Sequence, residues 1–172
     1  MLLRAGADAN TYSKCGTTPL MAGVMGHNDS SVKALLQCAD MLDLDRCFPT
    51  NNSISLGVAA YMGTPKLCEI LMKSGASRTH VNDHGATKLH DACQNVATTE
   101  LMLDLLWNDG ELDINVVVRP RTMFWHLVDG YFRMGVKRSF MVKSQFVMEM
   151  AHTEENTPLH YSAMSGLIHV TE

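Results

Sequence analysis

Gly85-Ala86-Thr87-Lys88-Leu89-His90-Asp91-Ala92 decides the fold, because the same theme returns elsewhere in the chain. Gly16-Thr17-Thr18-Pro19-Leu20 is one copy, and Asn156-Thr157-Pro158-Leu159-His160-Tyr161-Ser162-Ala163 is another. A weaker copy, Ile54-Ser55-Leu56-Gly57-Val58-Ala59-Ala60, lies between the first two and continues into Tyr61-Met62-Gly63. The Thr-like position falls at Thr18, Ile54, Thr87 and Thr157, with gaps of 36, 33 and 70 residues. Half of the last gap lands on Thr122, where Thr122-Met123-Phe124-Trp125 reads as a degraded copy. A fixed period in this range marks a repeat architecture, here with five starts.

Each residue of the theme has a physical reason. A Thr hydroxyl can cap the free backbone N–H groups of a first helical turn. Pro beside it has φ already set for that turn and no N–H to leave unpaired. Leu then enters the core, and Ala59-Ala60 keep the first helix thin enough for a neighbour to approach. The second halves repeat as well: Val32-Lys33-Ala34-Leu35-Leu36 matches Leu67-Cys68-Glu69-Ile70-Leu71-Met72-Lys73-Ser74-Gly75-Ala76. Gly75 suits a left-handed residue ending the second helix. Leu2-Leu3-Arg4-Ala5-Gly6-Ala7-Asp8-Ala9-Asn10 reads as the tail of a repeat. A turn with two short helices cannot bury its own apolar face, so neighbours must stack.

The spacing and the Thr-Pro-Leu-His-x-Ala theme resemble ankyrin repeats, whose period is about 33 residues. The resemblance covers nearly the whole chain. It implies an all-α solenoid of about four to five units with β-turn-like fingers, the fourth degenerate. The units divide as 1–10 (a tail), 11–48, 49–81, 82–116, 117–151 (degenerate) and 152–172 (truncated). His90 and His160 stand where the family hydrogen-bonds neighbouring turns through an imidazole. Several positions depart from the pattern. Lys88 replaces Pro, a modest loss in helix initiation, while Met21 replaces His and Gly23 replaces Ala. Around Thr122, bulky Phe124-Trp125 and Leu127-Val128 stand where small residues belong. Gly130, Tyr131, Phe132 and Gly135 then suggest an irregular run before a helix near Val136 to Val142. The loop from Gln37 to Asn52 is longer than usual.

The family's partner-binding surface is its concave face, built from finger tips and exposed first-helix positions. Carried over, it comprises Lys14, Cys15, Thr17 and Met25 in the first full unit. The second adds Thr50, Asn51, Ser53, Tyr61 and Met62, and the third Asp83, His84, Ala86, Gln94 and Asn95. The last adds Thr153, Glu154, Asn156 and Met164. The resemblance thus implies a non-catalytic protein-protein interaction module, with no cofactor and no small-molecule substrate. A regulatory or substrate-recruiting segment of a larger enzyme or adaptor, such as a ligase subunit or kinase, is the alternative, since the chain starts and ends inside repeats; a structural spacer is a second. It also implies a modification site. Leu2, Asp8 and Asn10 fit the spacing of ankyrin substrates of asparagine hydroxylation, and Asp113-Ile114-Asn115 fits in part, with Trp107 at the Leu position. The plainer role for Asn10 is to hold its turn by side-chain hydrogen bonds.

Composition bounds the function. The 172 residues are 46% hydrophobic, with 13 Met, and carry a net charge of −4, which disfavours nucleic acid as a partner. Cys15, Cys38, Cys47, Cys68 and Cys93 are odd in number and form no CxxC pair. That favours reduced thiols in a cytoplasmic or nuclear protein over a disulfide framework. No apolar run reaches the roughly 18 residues of a membrane span, and Met1-Leu2-Leu3-Arg4 does not open a signal peptide. His80 and His84 are four apart, but Asn82-Asp83 and Gly85 put them in a turn, so no metal site is expected. Cys68 and Cys93 fall on core-facing helical positions, Trp107 takes a leucine position at the end of a second helix, and Trp125 is open to either role. Met134, Met141, Met148 and Met150 read as core packing. Between Arg119 and Lys143, six basic residues face only Asp129, a local +5 against −9 elsewhere. Such a patch is either a solvated face or a dock for an acidic segment, led by Arg119 and Arg121. With Leu2, Leu3 and Leu167-Ile168 uncapped, the isolated chain is expected to be marginally stable and to associate.

Overall fold

The computed structural model describes residues 2–37, 42–95, 100–107, 113–137 and 155–167. A 3-10 turn over Leu3–Ala5 precedes eight α-helices among the described residues: α1 Pro19–Met25, α2 Asp29–Leu36, α3 Ser55–Tyr61, α4 Pro65–Lys73, α5 Lys88–Cys93, α6 Glu100–Trp107, α7 Met123–Lys137 and α8 Pro158–Met164. The described residues form no strand, only an isolated antiparallel bridge between Val81 and Thr87. The chain is all-α. No helix among the described residues is long and apolar enough to cross a membrane.

The expected start signals act as starts. Thr18 Oγ1 accepts the Met21 N–H at 3.2 Å, with Pro19 in the first turn. Thr87 with His90, and Thr157 with His160, form reciprocal capping boxes at α5 and α8. The imidazole here does the work that Glu or Gln usually does. Asn28 caps α2 through the Ser31 N–H, and Gly75 at φ 95° turns the chain out of α4.

The helices lie in two rows. In the first, α1 packs on α3, α3 on α5, and α5 on α8. The second helices α2, α4 and α6 back them, each on its own partner, with α4 also touching α6. One core runs through both rows: Leu20, Val24, Val32, Leu56, Ala59, Ala60, Leu67, Cys68, Leu71, Leu89, Ala92 and Leu106 are all buried. Ala59 and Ala92 are fully buried, so close approach of the first-row helices rests on their size. Burying each Leu contributes about 2 kcal/mol, and no helix here is long enough to be stable without that packing.

The first row ends differently from the sequence expectation. Thr122 does start a helix, its Oγ1 accepting the Trp125 N–H at 3.4 Å. That helix, α7, is not the next member of the first row. The partner of α5 is α8, and Ala86, Cys93, Val118 and Tyr161 close a second small core between them. The place expected for a unit at 117–151 is therefore held by α8. Nor is there an irregular run at Gly130 to Gly135: α7 is continuous from Met123 to Lys137, while residues 138–142 of the expected helix lie outside the described residues. Trp107, expected in the core, is 48% exposed at the end of α6.

Candidate partner-binding face

Four finger turns precede the first-row helices, and each is closed by the same two backbone hydrogen bonds. Ser13 N–H donates to Thr17 O and Gly16 N–H to Ser13 O, both at 2.9 Å. Phe48 donates to Ser53 O at 2.7 Å and Asn52 to Phe48 O at 2.8 Å. Asn82 donates to Ala86 O at 3.1 Å and Gly85 to Asn82 O at 2.9 Å. In the fourth, Val118 donates to Asn156 O at 2.9 Å and Glu155 to Val118 O at 2.8 Å. The residue after each tip is left-handed: Gly16 at φ 80°, Asn52 at 58°, Gly85 at 85° and Glu155 at 60°. The chain thus leaves the fourth finger after Val118 and re-enters it at Glu155.

The fingers are tied to one another. His80 Nε2 lies 2.6 Å from Asn52 O, and Asp83 N–H donates to Asn51 O at 2.9 Å. Arg121 N–H donates to Asp83 O at 2.9 Å. Lower down, Asn10 Oδ1 accepts the Asp43 N–H at 2.8 Å, and Asp45 Oδ1 accepts the Ser77 N–H at 2.8 Å. Asn10 also accepts order from its own unit, donating its N–H to Asp8 Oδ1, as Asn115 does to Asp113.

His90 is the deepest polar link. The Thr87 N–H donates to its Nδ1 at 3.2 Å, so the ring proton of the neutral tautomer sits on Nε2, which donates to Asn156 O at 3.2 Å. Burial pushes its pKa down to about 4, outweighing the opposing backbone hydrogen bonds to Asn156 and Val116. His160 repeats the capping half of this arrangement but is exposed.

The structure distributes the expected surface residues unevenly. Lys14, Cys15, Met25, Thr50, Tyr61, Gln94 and Met164 are exposed; Thr17, Asn51, Ser53, Met62, Asn95 and Asn156 are half-buried. Asn95 Nδ2 donates to Tyr61 O at 2.6 Å, joining neighbouring helix ends. Thr153 and Glu154 lie outside the described residues. Ala86 is a correction: it is 6% exposed and packs inward with Cys93 and Val118, so it offers no surface. At the third finger, the His84 ring packs against Trp125, centroids 3.6 Å apart and planes tilted by 42°, and burial lowers its pKa. Gly85 is covered so closely that a Cβ there would stand 2.0 Å from Arg119 O. The base of residues 119–154 therefore occupies this tip.

Arg121 helps to hold that base, while the Arg119 side chain lies at the surface. Arg121 Nη1 donates to Val81 O at 3.3 Å, and Arg119 reaches Glu155 at 3.8 Å. The latter pair is exposed, so its strength is small.

Sequence reasoning missed a buried charge. Lys88 is only 4% exposed, and Asp91 sits half-buried one turn later, its carboxylate against Gly57 of α3. A Cβ on Gly57 would stand 3.0 Å from Asp91 Oδ2. Burial raises the Asp91 pKa to about 7, with the Lys88 charge pulling it down. Lys in a Pro position was visible in the sequence, but the approach of Asp91 to Gly57 joins adjacent units and was not. Burial also raises the thiols of Cys68 and Cys93 to about 12 and about 11, leaving both unreactive at neutral pH. No group of three or more His, Cys, Asp or Glu among the described residues is arranged to hold a metal ion. No known family model matches the chain.

Proposed function

We propose that the chain is an ankyrin-repeat solenoid acting as a non-catalytic protein-protein interaction module, its partner seated along the finger tips and the exposed edge of the first helix row. The observation that carries this reading is the fourfold finger: the same paired hydrogen bonds and left-handed residue recur before α1, α3, α5 and α8. Fingers closed by paired backbone hydrogen bonds, the second and third also bonded to each other, form a pre-ordered platform, which lowers the ordering cost of binding. Lys14, Cys15, Met25, Thr50, Tyr61 and Gln94 are its open positions, and they include the large side chains Met25 and Tyr61 that suit an anchor. The occupied third tip narrows the platform to the first two fingers and the helix edge beside them.

The test is charge insertion on this face and on the opposite one. Met25→Glu with Tyr61→Glu is expected to abolish retention of a captured partner protein, whereas Lys33→Glu with Lys73→Glu on the second helices leaves it intact. Equal loss from both pairs, with helical content preserved, refutes the assigned face.

A further inference from the structure

The contact between α3 and α5 joins the second and third finger-helix units and encloses a small cavity. Ser53, Ser77, His80, Lys88 and Asp91 line it, over a floor that includes Gly57. Hydrogen bonds tie the two units at the edges of this contact. Asn95 donates to Tyr61 O at the helix ends, and Asp83 to Asn51 O at the fingers, beside His80 and Asn52 O. The middle is held by packing, with Ala59 and Ala92 fully buried. Asp91 reaches into that middle, its Oδ2 against the Gly57 backbone. Among the described residues no hydrogen bond reaches this carboxylate. Its opposite charge is Lys88, one turn earlier and itself buried. Ionised, such a group needs donors that entering water can bring; protonated, it needs far fewer.

We propose that this contact is a proton-responsive seam: ionisation of Asp91 draws water into the cavity and loosens α3 from α5, and the protonated acid holds the two units together. The surroundings single out Asp91. Helix α3 carries no charged residue, and its Tyr61 lies at the exposed far end. Cys68 of α4 feels the Lys88 charge, yet burial pushes its thiol up to about 12 and keeps it neutral. On the other faces of α5, Asp104 of α6 and His160 of α8 are exposed. Tyr161 of α8 meets His90 edge-on, centroids 5.6 Å apart, and His90 titrates near 4. His80 is the one further titratable group lining the cavity among the described residues. The Asp91 pKa, about 7 when closed against an ordinary 3.8, makes the closed seam the better proton binder. Opening is therefore favoured as pH rises from about 4 through about 7. The seam lies beneath the finger face and acts whether or not a partner binds there.

Hydrogen–deuterium exchange of the full chain, resolved by segment and corrected for the intrinsic pH dependence of exchange, tests this. Between about pH 6 and about pH 8 the opening of α3 and α5 is expected to increase about tenfold, with α1 and α2 changing less than about twofold. Asp91→Asn is expected to remove the difference and to match the parent at the lower pH, with unchanged circular dichroism. An equal rise in all segments of the parent overturns the proposal, since the proton would then act on the whole fold; so does no rise at all. Both readings stand on the parent alone, whatever the variant does. A rise that persists in folded Asp91→Asn also overturns it and assigns the response to His80.

Discussion

The third and fourth finger-helix units share a motif and differ in what surrounds it. Both place Thr at the cap and His three residues later, and both close the finger with two matching hydrogen bonds. Yet Leu89 is 3% exposed and Leu159 57%, while His90 is fully buried and His160 exposed. The motif builds the helix start; only the neighbour supplies burial. The second difference is the tip. Asp83 and His84 alone join Asn82 to Gly85, whereas residues 119–154 join Val118 to Glu155. Loop-closure cost grows only with the logarithm of length, about 0.6 kcal/mol per doubling. A long excursion at a tip is therefore tolerated when both of its ends are hydrogen-bonded.

Substitutions can sharpen this contrast, and the largest effect is expected where the excursion meets the third finger. Gly85→Ala adds a Cβ against the Arg119 backbone at a positive φ and should cost about 3–4 kcal/mol in urea unfolding. Gly16→Ala, whose Cβ would stand 2.8 Å from the Pro49 ring rather than against backbone, should cost less, about 2 kcal/mol. Similar losses at both sites would mean that Arg119 does not press on Gly85.

The two histidines come next. His90→Ala removes the ring's bonds to Thr87 and to the Asn156 carbonyl, which keeps only the Val118 N–H, and opens a void, an expected loss of about 3 kcal/mol. His160→Ala loses mainly a cap, about 1 kcal/mol. His90 should also give a pH signature. Its folded pKa, about 4, lies below the ordinary 6.5. Between those values the unfolded chain binds the extra proton, so stability is present above about 6.5 and falls as pH drops toward about 4.

Asp91 acts with the opposite sign. Its folded pKa, about 7, lies above the ordinary 3.8. The folded chain binds the extra proton in that window, so its contribution favours folding at low pH and is lost as pH rises through about 7. Asp91→Asn should stabilise the chain at pH 8 by about 1 kcal/mol, because the buried carboxylate no longer has to ionise. It should also steepen the acid-side loss caused by His90. A melting temperature at pH 8 equal to that of the parent would show that the carboxylate is well solvated. Smallest is Glu155→Gly, which relieves a left-handed non-glycine residue and should add about 0.5–1 kcal/mol.

Much of this architecture was legible because its signals are local. Thr18, Thr87 and Thr157 mark helix starts through their own turns, and Gly75 ends α4 through its own φ. Ala59 and Ala92 announced close helix contact by size alone. Thr122 misled for the same reason: it does cap a helix, but a cap carries no information about which helix lies alongside. The continuation of the first row depends on Val118 pairing with Glu155 and Asn156, far apart in sequence and without shared composition. Of the candidate face, Lys14, Met25 and Tyr61 were readable from register. The covering of the third tip was not, since it depends on where Trp125 and Arg119 come to rest. The Lys88–Asp91–Gly57 cluster joins two units, so neither unit read alone reveals it.

The central claim is that α8 continues the first helix row and that Val118 and Glu155 close the fourth finger on either side of residues 119–154. Its most direct test is the thermal unfolding of a variant in which residues 119–154 are replaced by the dipeptide Asp-His, the tip of the third finger. Retention of a single cooperative transition, with a midpoint within about 5 °C of the parent, is the predicted result. Loss of the transition, or a chain that no longer buries the His90 ring, would contradict it and return residues 119–154 to the body of the stack.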